Sequence, residues 1–396
     1  MFKRVILILI SLVVAFAGVG NVMPARREMN QLEIVRIMGI DRTSDGEVEV
    51  TLVRNYANSE VNGGVGGEEE GGEGEEGAEQ GEGAEAAGGA ADPPGNTISR
   101  RGATVSGALN EIRRAMEREV LGSHIQFILI GEDAAREDIL AVTDFLSRDM
   151  DARLSAKVFF VEGSSARELL EQLPPEFILA DKLSNFGRHS GVSNISKELT
   201  LADFFRKLSS ELGDVLVPNV RLSSLNGSAV AELGGYTIVA ARRFAGIMDE
   251  RAAAGYNLIA RQDSAGYVDV RLSASERYAS VRITDFRTRV QFEFEGDELR
   301  RIRVATEVRG NVNEAQVSLN SEVLREIEML VAAKFYGQIR AAIELSQRYE
   351  SDFLEFGERL RMRHPVRWER IRADLRGILA AVDVSVTVEV EIWEGN

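Results

Sequence analysis

Hydrophobic and polar residues alternate without a break in VDVSVTVEVEIW, so Val382, Val384, Val386, Val388, Val390 and Ile392 share one face of a strand. The same period of two joins Val290, Phe292 and Phe294, and after Gly296-Asp297 it returns in Ile302, Val304, Thr306 and Val308. Two alternating runs about a Gly-Asp pair predict a hairpin. The period then changes. Leu324, Ile327, Val331, Phe335, Ile339 and Ile343 recur at helical spacing and predict one long helix. Asp352 and Glu355, three residues apart, predict a capping box for the helix that follows.

The N-terminal half mixes the two periods at shorter range. Glu33 to Ile40 is a near-continuous apolar run suited to a buried strand, and Arg42 to Gly46 supplies a turn into the alternating Val48, Val50 and Leu52. After Arg101, a helical stripe of Val105, Ala108, Leu109, Ile112 and Met116 precedes an apolar strand from Ile125 to Ile130. A second helix carries Ile139, Val142, Phe145 and Leu146; Leu154 to Val161 reads as a strand, and Ala166 to Leu173 as a helix stopped by Pro174 and Pro175. Past the polar stretch Gly187 to Lys197, Leu201 to Leu212 is amphipathic, VLVPNVRL is extended, and ELGGYTIVAARRFAGIMDERAAAGYNL reads as strand, turn, helix. The expected fold is mixed α/β (α+β), with three consecutive domains of mixed sheets and packed helices after an N-terminal membrane segment. The segment spans 1–23, the N-terminal α/β domain 24–188 and a small middle α+β domain 189–260. A C-terminal domain over 261–396 holds antiparallel strands, the long helix and a final edge strand.

Two stretches stand apart from this pattern. Lys3 and Arg4 precede an uncharged run that includes Val5, Ile6, Leu7, Ile8, Leu9, Ile10, Leu12, Val13, Val14 and Phe16. Basic flank and length fit both an export signal and a short membrane helix, and both place the rest of the chain outside the cytoplasm. The segment 58–97 consists mostly of glycine, alanine and glutamate. It has too few large apolar side chains to offset the entropy of ordering, so disorder is expected. Its glycine spacings satisfy a dinucleotide-loop search only through composition.

Charge and inventory then narrow the chemistry. The formal charge is -16, and ten glutamates with Asp92 lie between Arg54 and Arg100, where there is no lysine or arginine. The remainder is only mildly acidic and has no concentrated basic face, which speaks against nucleic acid. The absence of cysteine excludes disulfides, thiolate metal sites and thioether lipidation.

The residues RREMNQLEIVRIMGID resemble the start of the mature Ger(x)C spore-germination proteins. Arg26, Arg27, Glu28, Met29 and Asn30 match the family's Arg-Arg-Glu-Ile-Asn-type motif, and Gly39, Ile40 and Asp41 match its strand end. Gly122, His124, Gly131, Arg148, Asp149 and Arg153 have counterparts in the following block. Near the C-terminus, Phe356, Gly357, His364, Pro365 and Trp368 match the Phe-Gly…His-Pro-x-x-Trp signature. Met23 stands where the family has its lipidated lipobox Cys, so a lipid on this residue is impossible and an uncleaved N-terminal helix is the expected anchor. The resemblance implies a non-enzymatic, extracytoplasmic subunit of a nutrient germinant receptor on the outer face of the spore inner membrane. It implies A-type and B-type receptor subunits as partners, an indirect relation to a small-molecule germinant, and no cofactor.

The residues themselves carry little sign of catalysis. His124, His189 and His364 have no metal-ligand spacing, and Ser190 and Ser193 beside His189 lie in a polar connection rather than on a strand-to-helix elbow. Glu326 with Glu328, and Glu293 with Glu295, read as solvated positions. The other reading is an exported binding protein for an amino acid or sugar, using a cleft between domains.

Overall fold

The computed structural model describes residues 32–54, 97–116, 118–136, 139–148, 152–173, 179–185, 196–260, 266–273 and 276–394. The apolar run 5–22, Met23, Arg26, Arg27, Glu28 and Asn30 lie outside the described residues, as do His189 and the insert 58–97 apart from Thr97. No helix among the described residues is long and apolar enough to cross a membrane.

Two sheets organise the molecule. The first contains β1 (Leu32–Arg42), β2 (Val48–Arg54), β3 (Thr97–Gly102), β4 (Glu119–Leu121), β5 (Phe127–Gly131), β6 (Lys157–Glu162), β7 (Val215–Leu225), β8 (Ser228–Ala240) and β9 (Arg243–Met248). Its order is β3-β2-β1-β5-β6-β7-β8-β9, with the short β4 beside the start of β1. β1, β5, β6 and β7 run parallel at the centre, and antiparallel strands flank them on both sides. Parallel strands covered on both faces need apolar residues at successive positions. Accordingly Ile37, Phe127, Leu129, Phe159 and Val161 pack on one face, against α4 (Ala166–Gln172) and the helical residues 179–185. Met38, Ile40, Ile128, Ile130, Val158 and Phe160 pack on the other. There they meet α1 (Val105–Ala115), α2 (Glu132–Arg136), α3 (Ile139–Arg148) and α6 (Leu201–Leu208), with α5 denoting 179–185.

The second sheet has the order β10-β11-β12-β13, built from Tyr267–Arg271, Tyr278–Glu295, Glu298–Ala315 and Asp383–Glu394. The β11–β12 hairpin turns at Gly296, whose φ of 62° lies in the left-handed region open to glycine. β13 pairs in parallel with β12 and forms the sheet edge expected from its sequence. One face of this sheet packs against α7 (Glu250–Ala260) and α8 (Ser321–Arg348). The long helix starts where Asn320 accepts hydrogen bonds from the backbone N–H groups of Glu322 and Val323. Three short helices follow it: α9 (Phe356–Arg363), α10 (Pro365–Ile371) and α11 (Leu375–Ala381).

The stretch expected to form a separate middle domain over 189–260 is arranged differently. Its strands β7 to β9 continue the first sheet, with Phe160 to Glu162 of β6 paired to Asn219 to Arg221 of β7. Its helix α7 belongs to the core of the second sheet. That core also takes in Leu216, Tyr236, Ile238 and Met248 from the first sheet, so one apolar interior runs between the two sheets. Two local readings also shift. The sequence GGYTIVAARRFAGIM folds as a β8–β9 hairpin through Ala241 and Arg242, both at positive φ, and the strand expected from Leu154 begins at Lys157, leaving Leu154 exposed.

Candidate functional site

The motif residues from the two ends of the chain form two separate constructions of the same kind: an aspartate on a helix N-terminus, buried at Asp41 and half-buried at Asp352, with a glycine held tightly against it. In the first, Asp41 lies at the end of β1. Its two carboxylate oxygens accept hydrogen bonds from Ala166 N (2.7 Å) and Arg167 N (2.9 Å) in the first turn of α4. Ser165 caps the same helix by accepting from Glu168 N at 3.0 Å. Gly131 ends the neighbouring strand, and a Cβ there would overlap Asp41 Oδ1. Gly39 sits under the same helix, where a Cβ would approach that of Ala166 to 3.0 Å. Gly39, Asp41 and Gly131 are therefore one packing unit. Its function is to seat α4 on the sheet. Burial, opposed by the two N–H bonds, pushes the Asp41 carboxyl up to about 6, and the nearby Glu49 adds to the rise. Glu49 is itself held by Arg101 (3.1 Å) and Arg167 (2.9 Å).

The second construction lies at the start of α9. Asp352 accepts from Phe356 N (2.8 Å) and Gly357 N (2.7 Å), and a Cβ on Gly357 would come within 2.8 Å of its Oδ2. This departs from the expected capping box. Asp352 caps the helix, but Glu355 adopts a left-handed φ of 59° and sends its carboxylate to Lys207 on α6. Desolvation raises the Asp352 carboxyl to about 7 against the lowering effect of those N–H groups, with Asp214 and Glu355 nearby contributing.

Asp214, which the sequence reading passed over, joins these parts. Its side chain is 3% exposed and pairs with Arg376 at 2.8 Å. The same Oδ1 accepts from Ala241 N (2.8 Å) in the β8–β9 turn, while Oδ2 accepts from Asp352 N at 2.7 Å. Arg376 also donates to Leu212 O at 2.7 Å. One carboxylate thus ties the first sheet to the C-terminal helices.

His364 and Pro365 stand at the α9–α10 junction, with proline at the first helical position where it removes no needed donor. The His364 ring lies edge-on to Phe292 (6.1 Å) and Phe294 (5.3 Å), which anchors the junction on the β11–β12 hairpin. Trp368 stacks under Arg372, 5.6 Å from ring centroid to guanidinium carbon. With Phe353, Leu375, Arg206 and Lys207 it lines a cavity of about 110 Å³ between α6 and the C-terminal helices. Among the described residues no cluster of three or more metal-ligating side chains occurs. His124 occupies an exposed one-turn segment before β5. The motif side chains are thus distributed over two places, and in the second of them Asp214, Asp352, Glu355, Gly357 and Trp368 share the lining of that cavity.

Comparison with known proteins settles the relationship. The family model "Spore germination protein N-terminal domain" matches residues 25–222, and "Spore germination B3/ GerAC like, C-terminal" matches residues 234–394. The chain belongs to the GerAC spore-germination family. Among curated relatives from Bacillus subtilis (strain 168), spore germination protein YndF is 24% identical over 305 residues, covering 74% of this chain and 73% of YndF. Spore germination protein KC is 26% identical over 193 residues, covering 48% of this chain and 40% of that protein. The crystal structure of the GerBC protein superposes with a TM-score of 0.56 at 14% identity, covering 90% of this chain and 96% of that one, which shows the shared GerAC fold. The Ger(x)C reading of the sequence and its mixed α/β class both hold.

Proposed function

We propose that this chain is a non-catalytic, extracytoplasmic subunit of a nutrient germinant receptor at the inner spore membrane, acting through contacts with A-type and B-type subunits. The observation that carries this reading is the consecutive match of both family models over residues 25–222 and 234–394. The polar geometry supports a non-catalytic role. Asp41 and Asp352 direct their oxygens at backbone N–H groups, and His364 lies against two phenylalanine rings. These contacts support a role in holding the fold. The apolar run from Val5 to Val22 supports attachment through an uncleaved N-terminal helix of about 27 Å, since Met23 offers no thiol for a lipid.

The test is to recover the chain from the inner-membrane fraction of dormant spores, measure its intact mass, and delete it in a strain lacking paralogous receptors. Full-length mass in the membrane, co-purification with the A-type and B-type subunits, and loss of nutrient-triggered germination are expected. Normal germination of the deletion strain, or a shortened soluble chain, would sink the proposal.

A further inference from the structure

The outer edge of β13 is only partly closed. In a strand the backbone groups of alternate residues point to opposite sides, so the even-numbered residues of β13 direct theirs away from β12. Three side chains of α8 meet this outward row at its two ends. Gln347 Nε2 donates to Val382 O at 2.8 Å, Arg340 Nη1 donates to Val384 O at 3.1 Å, and Glu328 Oε1 accepts from Ile392 N at 3.0 Å. Val386, Val388 and Val390 lie between them. Their outward N–H and C=O groups have no partner among the described residues. An unpaired strand edge of this kind is a template for another strand, and native proteins ordinarily cover it. Here the side-chain partners supplied by α8 stop short of the middle of the strand.

At the Val390 end of the open stretch, α8, Val390 and Ser273 beyond β10 line a groove of about 800 Å³ that also includes Met329, Ala332 and Arg325. Met329 is part of its lining and is 67% exposed, which leaves an apolar side chain open to a partner there. The charge around the edge is acidic. Glu322, Glu326 and Glu328 stand on the helix side, and Glu389 and Glu391 on the far face of the strand, against Arg325 in the groove, Arg340 at the Val384 end of the edge and Arg309, which reaches Glu391 at 3.7 Å. A second copy of the chain fits poorly by charge, because its own β13 would bring Asp383, Glu389 and Glu391 and no lysine or arginine to this acidic edge.

We infer that the open middle of β13, Val386 to Val390, receives by strand addition an extended basic segment of a partner protein, with lysine or arginine on alternate positions. Main-chain hydrogen bonds to Val386, Val388 and Val390 supply the pairing, apolar side chains enter the groove over Met329 and Ala332, and the basic side chains answer Glu389 and Glu391. This is a different site from the Asp214 junction and does not depend on which receptor the chain serves.

The probe is a fluorescent ten-residue peptide alternating valine with lysine, titrated by polarisation against the purified full-length chain. The controls are its valine–glutamate counterpart and a version with proline at its centre. Val388→Pro removes one outward N–H without touching a bond to β12, so the fold should survive, and Ala332→Arg independently fills and repels in the groove. Expected results are micromolar binding of the lysine peptide, at least tenfold weaker binding of both control peptides, and at least tenfold weakening by each variant. Slowed hydrogen exchange at the Val386, Val388 and Val390 amides should accompany binding. Equal binding of lysine and proline-interrupted peptides would reduce the effect to general charge attraction and overturn the inference, as would indifference to V388P. Self-association of the chain abolished by V388P would overturn it in favour of a second copy.

Discussion

At the residue scale, the motif glycines and aspartates are explained by contact. A methyl group on Gly131 has nowhere to go except into the Asp41 carboxylate, which cannot retreat without releasing the first turn of α4. Gly131→Ala should therefore cost about 1–3 kcal/mol in urea unfolding, the range for overpacking a filled core. Asp41 itself adds a pH signature. Its folded pKa is raised to about 6 from 3.8. A carboxyl shifted upward stabilises the fold most when protonated in both states, below about pH 4, and loses that contribution as pH rises towards 6. Asp41→Asn cannot ionise. The stability advantage of the wild type over this variant should shrink by up to about 3 kcal/mol between pH 4 and pH 7, because each tenfold difference in proton affinity between folded and unfolded chain is worth about 1.4 kcal/mol. Denaturant midpoints at several pH values check this, and an advantage that grew with pH would mean that the two N–H groups outweigh burial. The sequence marked Gly39, Asp41 and Gly131 as special only through the family motif. Their geometry comes from three separate segments, so no local pattern could reveal it.

At the element scale, elements whose partners were close in sequence were legible, and those whose partners were distant were not. The β1–β2 and β11–β12 hairpins, α8 and the strict alternation of β13 all followed from period and turn chemistry. The β8–β9 hairpin was hidden because its turn residues, Ala241 and Arg242, lack the usual glycine or asparagine. Tertiary bonds hold that turn instead: Arg242 N donates to Gly213 O at 2.9 Å, and Ala241 N to Asp214. The α7–α8 crossing was hidden in the same way. A Cβ on Gly255 would overlap the Gln338 carbonyl, so the two helix backbones touch directly. Gly255→Ala should push α7 off α8 and cost about 2–3 kcal/mol or more. Gly227 sits in the β7–β8 turn at a φ of 82° with open space around it, so Gly227→Ala meets only backbone strain of roughly 1 kcal/mol. Comparing the two variants by thermal unfolding separates close packing from turn strain, and similar losses would count against direct helix contact.

At the scale of the whole molecule, a chain that reads as three consecutive domains forms two sheets joined through one interior and one carboxylate. Tyr236 from β8 packs edge-on against Tyr256 of α7 at 5.2 Å, and Tyr256 against Phe353 at 6.2 Å. The Tyr236 hydroxyl donates to Asn257 Oδ1 at 2.8 Å and accepts from Lys197 N at 2.9 Å. Beside this apolar bridge, Asp214 holds the β8–β9 turn, the loop before α9 and Arg376 at once. Removing the carboxylate leaves a part-buried guanidinium and two backbone donors without that acceptor. Asp214→Ala should therefore lose about 3–5 kcal/mol, as for one partner of a buried pair, whereas loss of an exposed pair such as Arg300–Glu298 should cost under about 1 kcal/mol. The form of the unfolding curve is as informative as its midpoint. If the shared core and Asp214 couple the sheets, the wild type melts in one transition, and Asp214→Ala splits it into two that fluorescence of Trp368 in α10 and Trp393 in β13 resolves from far-ultraviolet circular dichroism. Two transitions already present in the wild type would mean that the sheets unfold independently, and a conformational signal could not then pass between them through this junction.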